Sequence, residues 1–293
     1  MILDGNHTRK EIYAELKTQV AEAVAQGHRP PCLVAILVGD DPASQTYVNS
    51  KVRDCEEVGY TSRLIRKEAT ISEAALLAEL THLNADPEAD GIIVQLPLPQ
   101  HIREHAVIEA ILPQKDVDGF HPINIGRMSK GLPAVLPATP AGIVELLRRY
   151  AIPTVGKHCV VVGRSNIVGT PMSLLMGRNA EPGNCTVTLC HSRTQDLSSY
   201  TRDADILIVA AGQRELVSAS MVKPGAVVVD VGMHRVPDAS KKSGFRLVGD
   251  VQLAAVAQVA SAYTPVPGGV GPMTRAMLLS NTWQVYRQHI LNA

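Results

Sequence analysis

The sequence predicts an α/β protein of two domains, an N-terminal α/β domain followed by a Rossmann-type doubly wound one. Three observations carry this prediction. Short apolar runs of strand length alternate with segments of helical period in both halves of the chain. The run VVVDVG (227–232) is apolar nearly throughout, as a parallel strand covered on both faces should be. Between the two series lies a stretch, 113–140, rich in proline and glycine. A loop of that length inside a compact protein tends to be functional.

In the first half, residues 9–26 read as an amphipathic helix stopped by Gly27, and CLVAILVG (32–39) as a buried strand. Asp41 and Pro42 open a helix well, Asp as N-cap and Pro in the first turn. It runs through Tyr47 and Lys51 and stops at Gly59. A strand over 60–66, a helix from Ser72 to about Asn84 and a strand over 91–99 follow. The order β-α-β-α-β implies a parallel sheet. After the proline-rich stretch comes a helix at 141–150. The rhythm then restarts with strands at 158–163, 185–190, 205–211 and 226–231, a helix at 169–178 and a last helix at 272–290.

Composition narrows the function. The chain has 293 residues, with 28 Lys and Arg against 28 Asp and Glu, so it has no basic excess to suit nucleic acid. Ten aromatic residues are too few for base-stacking platforms. No run approaches the roughly 18 apolar residues that span a bilayer, and the start MILDGNHTRK is not a secretory signal. The five cysteines are scattered without a C-x-x-C pair, which fits free thiols in a reducing cytoplasm. His101 and His105 lack a third ligand, so no metal is expected. His121, His191 and His234 show no triad arrangement, and no G-x-S-x-G is present.

The segment Val161–Gly169 follows a buried strand and opens a helix, the place of a dinucleotide-binding turn. Gly163 allows the tight turn, and N–H groups at the helix start can face a pyrophosphate. The alternative is a structural β-α turn. An NAD site usually places Asp or Glu about 20 residues on, to hold the ribose 2′-hydroxyl. Here the next strand ends in His191-Ser192-Arg193-Thr194, with no carboxylate. Arg193 and Arg164 suit a 2′-phosphate, so the residues point to NADP rather than NAD, unless Arg193 is only a solvated loop residue.

In the first half, Tyr47 and Lys51 share one helix face at i, i+4. A surface pair is the plainer reading of that spacing alone. Gln95 sits near the end of a buried strand, where a polar side chain is expensive without partners. Ligands of open α/β sheets lie beyond the carboxyl ends of strands, where Lys51 and Gln95 would converge. Asp118, in KDVDG, reads either as a turn residue or as an acceptor for the N–H donors of a heterocycle. The glycines of PVPGGVGP would let backbone approach a planar ligand closely.

Seven blocks, YVNSKVRDCEEVGY, DGIIVQLPLPQHI, PQKDVDGFHPINIGRM, PATPAGIVELL, VVVGRSNIVGTPM, HSRT and TPVPGGVGPMTRAMLLSNT, occur in this order. Together they resemble the bifunctional methylenetetrahydrofolate dehydrogenase/methenyltetrahydrofolate cyclohydrolase family over about residues 10–285. The resemblance implies a folate-binding catalytic domain (1–140 plus 271–293), an NADP-binding Rossmann domain (141–270), and a cleft between them for substrate and nicotinamide. It implies two reactions on tetrahydrofolate one-carbon derivatives, NADP-dependent oxidation of the 5,10-methylene form and hydrolysis of the methenyl product to 10-formyltetrahydrofolate. It also implies a cytoplasmic homodimer serving one-carbon metabolism and purine biosynthesis.

Carried over by motif, Lys51 is the catalytic lysine, Gln95 its partner, Tyr47 the tyrosine beside the folate and Asp118 the pterin-binding aspartate, all four counted as catalytic. Pro267, Gly268 and Gly271 fall against the folate. Gly163, Arg164, Ser165, Ser192, Arg193 and Met233 fall on cofactor contacts, and so does Thr139 of PATP. Addition of water to the methenyl cation needs proton transfer, which a lysine serves when burial or neighbours bring its pKa towards about 7–8. Two departures stand out. Ala138 replaces a cysteine common in relatives, and the stretches 176–185 and 234–247 look long. The competing readings are another two-domain NADP dehydrogenase, resembling shikimate dehydrogenase, and a non-catalytic folate or nucleotide binder. The folate-type blocks speak against the first, and the intact Lys51, Gln95 and Asp118 against the second.

Overall fold

In a computed structural model, which describes residues 1–241 and 244–291, the chain divides into two units. One is Lys10–Ala138 with Arg275–Ala293, the other Thr139–Thr274 with Met1–Arg9. The division differs from the expected boundaries at the N-terminus, where the first nine residues group with the second unit. Leu3 N–H donates to Tyr263 O at 2.8 Å, Tyr263 N–H to Met1 O at 3.0 Å and Asn6 N–H to Gly268 O at 3.1 Å. The last helix also divides later than residue 271, after Thr274.

The first unit begins within α1 (Gly5–Ala25), four residues earlier than the apolar pattern predicts. The reason is a cap: Asp4 Oδ1 accepts from Asn6 N–H at 2.8 Å and His7 N–H at 3.1 Å. β1 (Cys32–Val38) is buried at every position and leads to α2 (Pro42–Val58). Asp41 caps α2, accepting from Ser44 N–H at 2.7 Å, and Gly59 ends it in the left-handed region at φ 86°. β2 (Thr61–Lys67), α3 (Glu73–Ala85, capped by Ser72) and β3 (Gly91–Val94) complete a parallel sheet of order β2-β1-β3. β3 is shorter than predicted, since Pro97 and Pro99 cannot donate to a ladder. Its inner face packs Val34, Ile36, Ile92 and Val94 against Leu76, Leu80 and Val107. Each such side chain contributes about 1.5–3 kcal/mol by leaving water.

Two short helices of the first unit were not predicted. α4 (Glu104–Ala110) follows the proline-rich strand end, and α5 (Pro122–Ser129) lies inside the stretch read as loop. His121 caps α5, its Nδ1 accepting from Ile123 N–H at 3.1 Å. α6 (Ala138–Arg149) starts three residues before the predicted 141.

The second unit is the doubly wound one. β4 (His158–Val162), α7 (Gly169–Gly177), β5 (Thr186–Cys190), β6 (Ile206–Val209) and β7 (Val227–Asp230) follow the predicted order, with the short α8 (Leu197–Thr201), which was not predicted, between β5 and β6. The stretch 176–185 closes as a turn, with Arg178 O accepting from the N–H groups of Ala180 and Asn184, each at 2.9 Å. The stretch 234–247 is mostly an antiparallel hairpin, β8 (His234–Pro237) against β9 (Phe245–Val248), and its Lys242 and Ser243 lie outside the described residues. α9 (Leu253–Val256) and β10 (Ala262–Tyr263) precede α10 (Val270–Tyr286). The five-stranded parallel sheet has order β10-β7-β6-β4-β5, so β5 lies on one side of β4 and β6 and β7 on the other.

Candidate functional site

The candidate centre of the first unit stands on α2 and on the end of β3. Asp41 and Pro42 fix where α2 starts, and so which face Tyr47 and Lys51 share one turn apart. Lys51 is half-buried, and its Nζ donates to Gln95 Oε1 at 3.1 Å. Gln95 is held from both sides: its backbone N–H donates to Ile36 O at 2.9 Å, and its Nε2 donates to Leu96 O at 2.7 Å. With the amide nitrogen engaged, the amide oxygen faces Lys51. An amide oxygen orients the amine in either protonation state, because an N–H remains to donate in both.

Asp118 completes the group. Burial pushes its carboxyl above the usual carboxylate range, and the Lys51 charge pulls it back. The loop that carries it is braced by Asp116, which is buried and accepts from Gly119 N–H at 3.0 Å, His121 N–H at 2.8 Å and Asn124 Nδ2 at 3.1 Å. Lys115 anchors the same loop, donating to Leu83 O at 3.2 Å and Asp86 O at 2.6 Å. Asp116 and Asp118 line a small pocket with Val94, Leu96 and Phe120. Tyr47, on the Lys51 face of α2, is 41% exposed.

In the second unit the turn between β4 and α7 is built by close approach. Gly163 has φ 116°, and a Cβ there would lie 2.0 Å from Ala210 O. A Cβ on Gly169 would lie 1.9 Å from Gly163 O. The helix start differs from the sequence reading. The N–H groups of Val168 and Gly169 already donate to Ser165 Oγ, at 3.2 and 3.4 Å. An anion would therefore meet the loop rather than these two groups.

Arg164, Ser165, Ser192 and Arg193 are exposed. The turn after β5 is fixed by His191, whose N–H donates to Thr194 Oγ1 at 2.8 Å and whose Nδ1 accepts from Arg193 N–H at 3.1 Å. Met233 is 50% exposed. Thr139 Oγ1 bonds Thr274 Oγ1 at 3.0 Å.

In the proline-glycine loop, a Cβ on Gly268 would lie 2.9 Å from Asn6 Nδ2, and one on Gly269 2.6 Å from Thr264 Cβ. Gly268 makes room for the chain's own N-terminal segment and Gly269 for the preceding turn, while Gly271 has open space around it. Pro267, Gly268 and Gly271 all fall in the second unit, whereas Tyr47, Lys51, Gln95 and Asp118 fall in the first.

One cluster escaped the sequence reading. Asp250, fully buried, accepts from the N–H groups of Ala211 and Gly212 at 2.7 and 2.9 Å and from His234 Nε2 at 2.7 Å. Asp230 accepts from the N–H groups of Gly232, Asp250 and Val251 at 2.9, 2.9 and 3.0 Å. Burial, with Asp250 nearby, pushes Asp230 up to about 6 despite these bonds. The signal in sequence was an Asp at each of two apolar run ends, VVVDVG and LVGDV, each within two residues of a glycine. His234 thus meets a carboxylate, a pairing that the sequence did not show.

His101, half of the H-x-x-x-H pair, bonds Ile71 O at 2.8 Å through Nε2. Among the described residues, no group of three or more metal-type side chains gathers, and no helix is long and apolar enough to cross a membrane.

The fold and the two groups of residues define a two-unit α/β protein whose second unit is of nucleotide-binding type. The model of the tetrahydrofolate dehydrogenase/cyclohydrolase catalytic domain matches residues 3–118, and that of the family's NAD(P)-binding domain matches 137–290. The bifunctional protein FolD of Cytophaga hutchinsonii is 60% identical over 97% of this chain and 98% of its own length. The bifunctional FolD of Campylobacter jejuni has a solved structure with TM-score 0.93, at 47% identity and covering 99% of each chain. That of Trypanosoma brucei, solved with NADP cofactor and inhibitor, has TM-score 0.92 at 38% identity, covering 98% of this chain and 97% of its own. The chain belongs to the tetrahydrofolate dehydrogenase/cyclohydrolase family. It is a bifunctional enzyme with a catalytic and an NAD(P)-binding domain.

Proposed function

We propose that the protein oxidises 5,10-methylenetetrahydrofolate with NADP⁺ and hydrolyses the methenyl product to 10-formyltetrahydrofolate, with Lys51 moving the proton. The observation that carries this reading is the 3.1 Å bond from Lys51 Nζ to Gln95 Oε1, beside Asp118 in the same unit.

A nicotinamide dinucleotide, when bound, supplies the hydride acceptor. The residues fit it: the Gly163 and Gly169 backbones approach so closely that no Cβ would fit, which leaves a turn shaped for a phosphate. The 2′-phosphate falls to Arg193 and Arg164, since β5 ends without a carboxylate. The bound dinucleotide also contacts Ser165, Ser192, Met233 and Thr139 in this reading. Loss of hydride leaves a cation shared by two folate nitrogens, so the first step asks the protein for orientation. Asp118 accepts the pterin N–H donors, and Tyr47 lies along the folate. In the second step water adds to the cation, and Lys51, aimed by Gln95, takes and returns the proton. Pro267, Gly268 and Gly271 supply backbone against the folate. Pairing into a homodimer is part of the same reading, and light scattering on the eluted protein tests it.

The test mixes the protein with 5,10-methylenetetrahydrofolate and either NADP⁺ or NAD⁺, following reduced nucleotide and methenyl absorbance together. NADP⁺-dependent reduction without methenyl accumulation is expected. Accumulating methenyl would remove the hydrolytic role of Lys51, and preference for NAD⁺ would remove the 2′-phosphate reading.

A further inference from the structure

The buried carboxylates of the second unit lie where the sheet order gives them a task. A dinucleotide crossing the carboxyl ends of the strands, with its pyrophosphate at the β4–α7 turn, has its 2′-phosphoadenosine end over β5 and Arg193. Its nicotinamide half then lies over β6 and β7. The loops that follow those two strands are the ones Asp250 and Asp230 hold. Asp250 fixes Ala211 and Gly212 after β6, and its other oxygen fixes His234 after β7. Asp230 fixes Gly232. Met233 is therefore clamped by a bond on each side, although its own side chain is exposed. The neighbouring Ala210 carbonyl is the wall against which Gly163 turns.

The packing leaves no slack. A Cβ on Gly249 would lie 1.8 Å from Asp230 Oδ2, and one on Gly232 would lie 2.4 Å from Asp250 N and Oδ1. A fully buried carboxylate is expensive unless every oxygen is engaged, and both oxygens of Asp250 are. Since a carboxylate only accepts, the His234 ring carries its proton on Nε2.

We propose that Asp250, acting through His234 and the amides of Ala211 and Gly212, is a positioning residue for the nicotinamide half of the dinucleotide. The inference rests on the NADP reading above. Asp250 does not itself touch the ligand; it sets the two loops that do.

The test is calorimetric titration of the full chain with two probes, NADP⁺ and adenosine 2′,5′-bisphosphate, which carries the adenosine half alone. Asp250→Asn should raise the Kd for NADP⁺ at least tenfold and change that for the bisphosphate less than twofold. His234→Ala, at a partly exposed side chain that the fold tolerates, should raise the NADP⁺ Kd about fivefold. His234→Gln, which keeps an N–H donor at similar reach, should restore it to within twofold. Equal weakening of both probes would mean a merely structural role and would overturn the inference. So would unchanged NADP⁺ affinity in both Asp250→Asn and His234→Ala. A wild-type protein that bound neither probe would overturn the NADP reading and this inference with it.

Discussion

Lys51 in the first unit and Asp250 in the second are both held by side-chain bonds, yet they are held differently. Lys51 is half-buried and donates to a single neutral oxygen at 3.1 Å. Asp250 is fully buried and takes three donors on its two oxygens, all within 2.9 Å. A group that must exchange a proton with water has to remain reachable and incompletely bonded. A group that only fixes backbone is best saturated, because any unmade bond there costs about 1–3 kcal/mol. The two bonding patterns are those expected of the roles proposed for Lys51 and for Asp250.

Substitutions break the comparison in order of expected effect. Lys51→Met should lower hydrolysis of the methenyl substrate by about 10²–10⁴, the usual range for a proton-transfer group, while calorimetric NADP⁺ affinity stays within twofold. Gly163→Ala should do the reverse. It should weaken NADP⁺ binding more than tenfold and lower stability by about 1–3 kcal/mol in urea titrations, because its Cβ has no room beside Ala210 O. Arg193→Ala should raise the KM for NADP⁺ about fivefold and leave that for NAD⁺ unchanged, the exposed charge being weakened by salt.

The smallest effect sharpens the Asp230 side of the comparison. Its folded pKa, about 6, lies above the 3.8 of the unfolded chain. Between about pH 4 and 6 the folded state keeps a proton that the unfolded state has released, so this group's contribution to stability falls as pH rises. Below that window both states are protonated, and above it both are ionised. Urea unfolding of the wild type minus that of Asp230→Asn should slope downward only there.

Much of the fold was legible because its signals are local. Asp41 and Pro42 at one end and Gly59 at the other bound α2 as read. Gly163 marked the tight turn between β4 and α7, where a Cβ has no room. What was not legible lies in contacts between residues far apart in the chain. At the N-terminus the Asp4 cap sits outside the apolar period, and Met1, Leu3 and Asn6 bond backbone more than 250 positions away, at Ser261, Tyr263 and Gly268. No periodicity reports such contacts. In PVPGGVGP, Gly268 also makes room for Asn6, a contact that no local pattern reports. The Asp230 and Asp250 cluster was missed because its bonds join residues 16 to 39 positions apart, and each aspartate alone looks like a strand end.

In the proposed mechanism Gln95 acts by holding Lys51. A double-mutant cycle on methenyl hydrolysis tests it most directly, comparing Lys51→Met, Gln95→Leu and the two combined. The bond predicts that Gln95→Leu alone lowers the rate about tenfold and that the double substitution is no slower than Lys51→Met, within twofold. Losses that multiplied in full would mean that the two side chains act independently and would contradict the account.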